Sequence, residues 1–357
     1  MKKNTLRIIS LFIALTMCIL SFASCSSKDN DVTNADSQIN KQDSEQKDET
    51  PVLTAKNPLT GESGYDEHLL DERPVAIMVE NTPSARPQWG LCSPDIVVET
   101  EVEGGITRMM WLYANKDRVA DKVGPVRSAR NAYVELAGGL DAVFFHIGAS
   151  DLAYKLLRKG VVDDVDGMAV DFYSRDKSRN VAVEHTAYTT KTAVAKAIEE
   201  HISNTKLGDS CKNPLTFVDT GATASGSACS SIKAVFSDEY KHTFEYNSSD
   251  LLYYNWMNSN EMTDENGKQM AVKNVLVLYA DMVDLGDEKG HVDVDLSSGD
   301  GYYASEGKVI SVKWSKGGIS DKLKITDENG NDLSLNAGKS WIGFVRSSNS
   351  SRTVISE

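Results

Sequence analysis

The chain has 357 residues, with 38 Lys+Arg against 52 Asp+Glu, a net charge of −14, 40% hydrophobic and 8% aromatic residues. That length and mixture can bury a core in two domains, and they exclude collagen-like, coiled-coil and wholly disordered chains. The negative charge excludes a nucleic-acid binder, which needs a basic face to neutralise phosphates.

Residues 1–24 read as a secretory signal: Lys2, Lys3 and Arg7 open it, an apolar run follows over 8–20, and Ala23 and Ser24 are small. The run falls short of the roughly 20 residues that span a bilayer. Cys25 at this junction resembles the bacterial lipobox cysteine, whose thiol receives diacylglycerol, although Phe22 stands where an aliphatic residue is usual. Cys25 is therefore the expected lipidation site. Residues 26–57 hold six hydrophobic residues in 32, no aromatic, and four positive against seven negative charges. Such a segment cannot offset its ordering entropy, so residues 25–57 are expected to be a lipidated cysteine and a disordered tether. With no polybasic patch, the membrane would be reached through the lipid anchor.

From 58 to 215 apolar runs alternate with helical stretches. Residues 74–79 and 142–147 are apolar at odd and even positions alike, as in strands covered on both faces. The stretches 96–102 and 107–113 predict a hairpin turning at Gly104-Gly105. Helices are predicted over 128–137, 151–158 and 190–203, the last capped by threonine. Residues 230–350 hold short β-rich runs at 232–236, 243–246, 251–256, 275–279, 291–296, 308–314 and 341–345. The pentapeptide TDENG occurs at 263–267 and again at 326–330, each read as a tight Asn-Gly hairpin turn. The expected fold class is α+β: an N-terminal layered sheet/helix domain over 58–215, then a smaller β-rich C-terminal domain over 230–350.

Cys211 and Cys229 flank the Gly/Ser/Thr-rich loop between these regions. In an oxidising exterior they form a candidate disulfide, worth about 3 kcal/mol through loop closure, the alternative being unpaired thiols. No Cys/His spacing fits zinc, and Asp163, Asp164 and Asp166 match no EF-hand loop, so no metal and no cofactor are expected.

Polar residues concentrate in a few places. By the period-two rule Glu99, Glu101 and Glu103 share one strand face, about 6.6 Å apart, and repel unless a cation is near. Gly124-Pro125-Val126-Arg127-Ser128-Ala129-Arg130 places two arginines at a predicted helix start, where positive charge opposes the helix dipole. Either a Glu–Arg network orders the core, or guanidinium forks and free backbone N–H groups form an anion site, with Arg108 able to join both arrangements. His146 closes a predicted strand at an edge where α/β sheets hold ligands, and His185 precedes the third helix; each suits an acid/base role or a structural one. GxSxG, P-loop, HExxH and dinucleotide motifs are absent from the sequence.

The segments RPVAIMVEN (73–81), ARPQWGL (85–91), DIVVETEVEGGITR (95–108), GPVRSAR (124–130), HIGAS (146–150), EHTAYT (184–189), GDGYY (299–303), WSK (314–316) and LNAGKSWI (335–342) resemble the YerB-like family of bacterial lipoproteins. The resemblance covers about residues 60–347 in the same order. It implies an N-terminal α+β domain, a β-rich C-terminal domain and a surface lipoprotein, typically of Gram-positive bacteria, on the outer face of the cell membrane. It implies no activity. It draws attention to Glu99, Glu103, Arg108, Arg127 and Arg130, which stand inside its most recognisable motifs, and it carries no cysteine at the position of Cys92. Three functions stay open: a binder of peptidoglycan or another anionic or glycan-like envelope ligand, an envelope hydrolase or transferase using the same carboxylates and arginines, or a scaffold for envelope proteins.

Overall fold

In the computed structural model, residues 52–357 are described. The signal segment 1–24, Cys25 and the tether up to residue 51 lie outside the described residues. The folded body begins earlier than its composition predicts: Ala55–Lys56 pair with Ser63–Tyr65, and Asn57 is buried where its amide donates to Asp95.

The architecture rests on an 11-stranded mixed sheet. The first half of the chain contributes β1 (Val75–Glu80), β2 (Ile96–Glu103), β3 (Ile106–Tyr113), β4 (Val143–His146) and β5 (Asp163–Asp166). The second half contributes β6 (Asn274–Ala280), β7 (Ser298–Ser305), β8 (Lys308–Ser315) and β9 (Ser340–Arg346). Between the short edge pair Ser227–Ala228 and β5 the order is β8, β7, β6, β9, β2, β3, β1, β4, with Lys324–Asp327 also beside β8. The strand that joins the halves is β9. It lies parallel to β6 on one side and to β2 on the other, with Ser340 level with both Asn274 and Ile96. The two sequence regions therefore share one hydrogen-bonded sheet.

All six residues of β1 and all seven of β6 are buried, because the sheet is covered on both faces. Val75, Ile77 and Val79 face helix α3 (Lys191–His201) and a six-stranded antiparallel sheet that includes Ser231–Val235, Lys241–Asn247 and Leu252–Met257. Ala76 and Met78 face α1 (Asn131–Gly139) and α2 (Asp151–Leu157). Thr190 caps α3 by accepting from the Ala193 N–H at 3.1 Å. Both TDENG turns close alike: Asp264 and Asp327 each accept from the backbone N–H groups two and four residues on, and Gly267 and Gly330 take the positive φ that the turn requires.

Two expectations are corrected. Cys211 and Cys229 are unpaired: the Cys229 thiol donates to the carbonyl of Ser231 inside the core, whereas Cys211 faces the carbonyl of Gly139. The first helix starts at Asn131, not at 128. Residues 126–129 are held extended by bridges from Val126 to Val79 and from Ala129 to Ala149, so Ser128 caps nothing and Arg130 becomes the N-cap residue.

Candidate functional site

The family-like segments converge on a polar cluster at the carboxyl end of β1. Asn81, fully buried, donates its amide N–H groups to Glu99 Oε1 and Thr107 Oγ1, both at 2.9 Å. Gln88 donates to Asn81 Oδ1 and to the carbonyl of Glu80, while Arg86 donates to the carbonyl of Asn81. Buried amides of this kind hold their neighbours in one geometry because each unmade bond costs about 1–3 kcal/mol.

The three glutamates of β2 do not share a face. Glu99 lies sealed between the sheets, accepting from Asn81, Thr107 Oγ1 (2.5 Å), Trp341 Nε1 (3.2 Å) and His242 Nε2 (3.1 Å). Burial alone would raise its pKa, but His242 and these hydrogen bonds outweigh it and hold the carboxyl below the usual carboxylate range. His242 turns its other nitrogen to Asn255 Oδ1 at 2.9 Å, so both ring nitrogens face oxygen acceptors. Glu101 pairs with Arg346 at 3.0 Å. The strand register shifts between Glu101 and Glu103, and Glu103 turns to Arg108 and Arg130 instead.

Arg130 grips Glu103 through Nε at 2.9 Å and Nη2 at 2.7 and 2.8 Å, and its Nη1 donates to the carbonyl of Ala129. The buried guanidinium of Arg108 donates to Glu103 Oε1 at 2.9 Å and to the carbonyl of Ser128 at 2.6 Å. Burial, with Arg130 alongside, lowers the Arg108 pKa to about 10. Burial would raise Glu103, but Arg108 and Arg130 prevail and depress it. This triangle is the ordering network weighed from the sequence, and it uses the donors that an anion at the α1 N-terminus would need.

Arg127 is different. Its Nε stands 3.5 Å from Glu80 Oε2, an ion pair without a hydrogen bond, and this buried Nε has no hydrogen-bond partner among the described residues. Glu80, itself buried, already accepts from His185 Nδ1 at 2.9 Å and Thr82 Oγ1 at 2.8 Å. The Arg127 side chain is 26% exposed. Arg108, Arg127 and Arg130 thus meet Glu80 and Glu103: three cations against two anions, at a place open to solvent on the Arg127 side. Arg127 and His185 come together around Glu80, whose only sequence signal is a carboxylate ending a doubly covered strand.

His146 is enclosed, with Nδ1 at 2.9 Å from the carbonyl of Gly148 and Nε2 at 3.0 Å from Asp164, which makes it a brace between β4 and β5. Burial pushes the Cys92 thiol up to about 12, and its Sγ donates to the carbonyl of Lys268. A thiol so placed is not a nucleophile.

The chain matches the family described as protein of unknown function (DUF3048), its N-terminal domain over residues 59–205 and its C-terminal domain over 232–342. It belongs to that family. It is 33% identical over 310 residues to "Putative lipoprotein YerB" of Bacillus subtilis (strain 168), an alignment covering 84% of this chain and 90% of the relative. The crystal structure of the YerB protein from Bacillus subtilis superposes with a TM-score of 0.73 at 30% identity, covering 85% of this chain and all of the other.

Proposed function

We propose that this protein is a lipoprotein anchored to the outer face of the cell membrane through Cys25, whose folded body binds an anionic or glycan-like envelope ligand at Arg127. The observation that carries the binding role is the Arg127 guanidinium: partly exposed, in a locally positive cluster, with no hydrogen bond on it among the described residues. A guanidinium offers a planar fork suited to carboxylate or phosphate. Catalysis by the glutamates is disfavoured, because Glu99 is sealed in the core and Glu103 is held by two arginines. The name of the Bacillus subtilis relative supports the anchor.

Two measurements test the two parts. Cys25→Ser should move the protein from the membrane fraction to the soluble or secreted one; a variant still fully membrane-bound would refute the lipid anchor. In a thermal-shift screen of the purified protein against carboxylate-bearing envelope glycans and simple carboxylates, a ligand at 100 times its Kd adds about 2.7 kcal/mol, a shift of several degrees. Arg127→Gln should abolish that shift while remaining folded, and a shift that survives the substitution would remove Arg127 from the site.

A further inference from the structure

A second cluster of cations lies at the opposite end of the strands, where β2 and β9 begin. Residues 337–339 form a tight approach there. Gly338 has φ +143°, and a Cβ on it would come within 2.5 Å of Lys273 Cβ, so only glycine fits. Its N–H donates to the carbonyl of Thr60, and the carbonyl of Lys339 accepts from the N–H groups of Lys273 and Asn274. The turn so fixed aims the Lys339 ammonium at the carbonyls of Cys92 (2.7 Å) and Ser93 (3.1 Å). Among the described residues no carboxylate lies within 4.0 Å of it. Two backbone carbonyls leave one of its three N–H groups without an acceptor.

Lys339 lines a cavity of about 540 Å³ together with Lys268, Lys273, Tyr254 and Leu252. Among the described residues Lys268 has no ion pair, whereas Lys273 holds Glu306 at 2.9 Å. Burial disfavours the charge on Lys339, and the Lys268 ammonium adds a smaller repulsion in the same direction. The carboxylates on the cavity wall are engaged locally: Glu62 accepts from Thr60 Oγ1 and Asp250 from the Tyr254 hydroxyl. Asp95, the carboxylate that acts most strongly on Lys339, is itself held by Arg118 at 2.6 Å, so Lys339 is a partly desolvated cation with no counter-ion in contact, and a bound anion offsets that cost.

We infer that this cavity binds a small organic phosphate, its phosphoryl oxygens held by Lys339 and Lys268 and its carbon body resting on Leu252 and Tyr254. Phosphate suits lysines as point charges, and the volume exceeds that of the inorganic ion. The site is independent of Arg127, which lies at the other end of the strands. The same chemistry comes from a free phosphomonoester or from a phosphodiester in a polymer or lipid headgroup.

The test is calorimetric titration of the full-length protein in detergent with glycerol 3-phosphate and with glycerophosphoglycerol, against glycerol at matched ionic strength. Binding of either phosphate but not of glycerol is expected, and the preferred ester identifies the source. Lys339→Met should weaken it at least about tenfold, a loss of about 1.4 kcal/mol. Lys268→Met, at a less buried position, is the second variant should Lys339→Met fail to fold, and it should weaken binding several-fold. No phosphate binding overturns the inference. So does binding that Lys339→Met and Lys268→Met leave intact, or that only Arg127→Gln removes.

Discussion

Glu99→Ala should destabilise the protein by about 3–5 kcal/mol, the range seen when one partner of a buried ion pair is removed. Its side chain accepts from four buried groups, those of Asn81, Thr107, Trp341 and His242, and truncation orphans all of them. His242 is fully buried and cannot recover water in compensation. Trp341 and His242 belong to the second half of the chain, so the variant also loosens the join between the halves. Denaturant unfolding followed by tryptophan fluorescence measures the loss. Glu99→Leu/His242→Leu should be less damaging than the sum of its two single substitutions, because no charge is left unpaired. A Glu99→Ala loss below about 1 kcal/mol would mean that the pair is not what holds the sheets together.

Glu103→Ala should cost a similar amount, because it leaves the guanidiniums of Arg108 and Arg130 facing each other without their shared carboxylate. It should also alter the acid limb of the stability curve. Glu103 has a lower pKa folded than unfolded, so the folded state holds its proton less readily. The stability it contributes is complete above the ordinary glutamate range, from about pH 5 upward, and is lost as pH falls toward the depressed folded value. Glu99 acts in the same direction. Wild-type stability should therefore drop steeply on acidification, and Glu103→Ala should show a shallower slope below about pH 5. Parallel acid limbs for the two proteins would contradict the assignment.

Local features of the fold were legible in the sequence, and long-range ones were not. The doubly covered strands β1 and β4, the Gly104-Gly105 hairpin, helices α2 and α3 and both TDENG turns follow from periodicity, capping and turn chemistry within a few residues. The environment of Glu99 is set by Trp341, 242 positions away in the chain, which no local pattern carries. Period two groups Glu103 with Glu99 and Glu101, but the register shift in β2 sends it to the arginines. Arg127 and Arg130, three residues apart and alike in sequence, separate because Arg130 reaches Glu103 whereas Arg127 approaches a Glu80 already held by His185 and Thr82. The disulfide fails for a similar reason: closeness to a common loop says nothing about which layer each thiol enters.

The division of labour between the two neighbouring arginines can be measured without a ligand. Thermal unfolding of Arg127→Gln and Arg130→Gln, measured side by side with the wild-type protein, separates a binding residue from a structural one. A midpoint within a degree or two of wild type is expected for Arg127→Gln, and a fall of roughly 5 °C or more for Arg130→Gln, which breaks a buried bidentate pair. Equal losses in the two variants would contradict it, because Arg127 would then belong to the same core network and its guanidinium would not be available to a ligand.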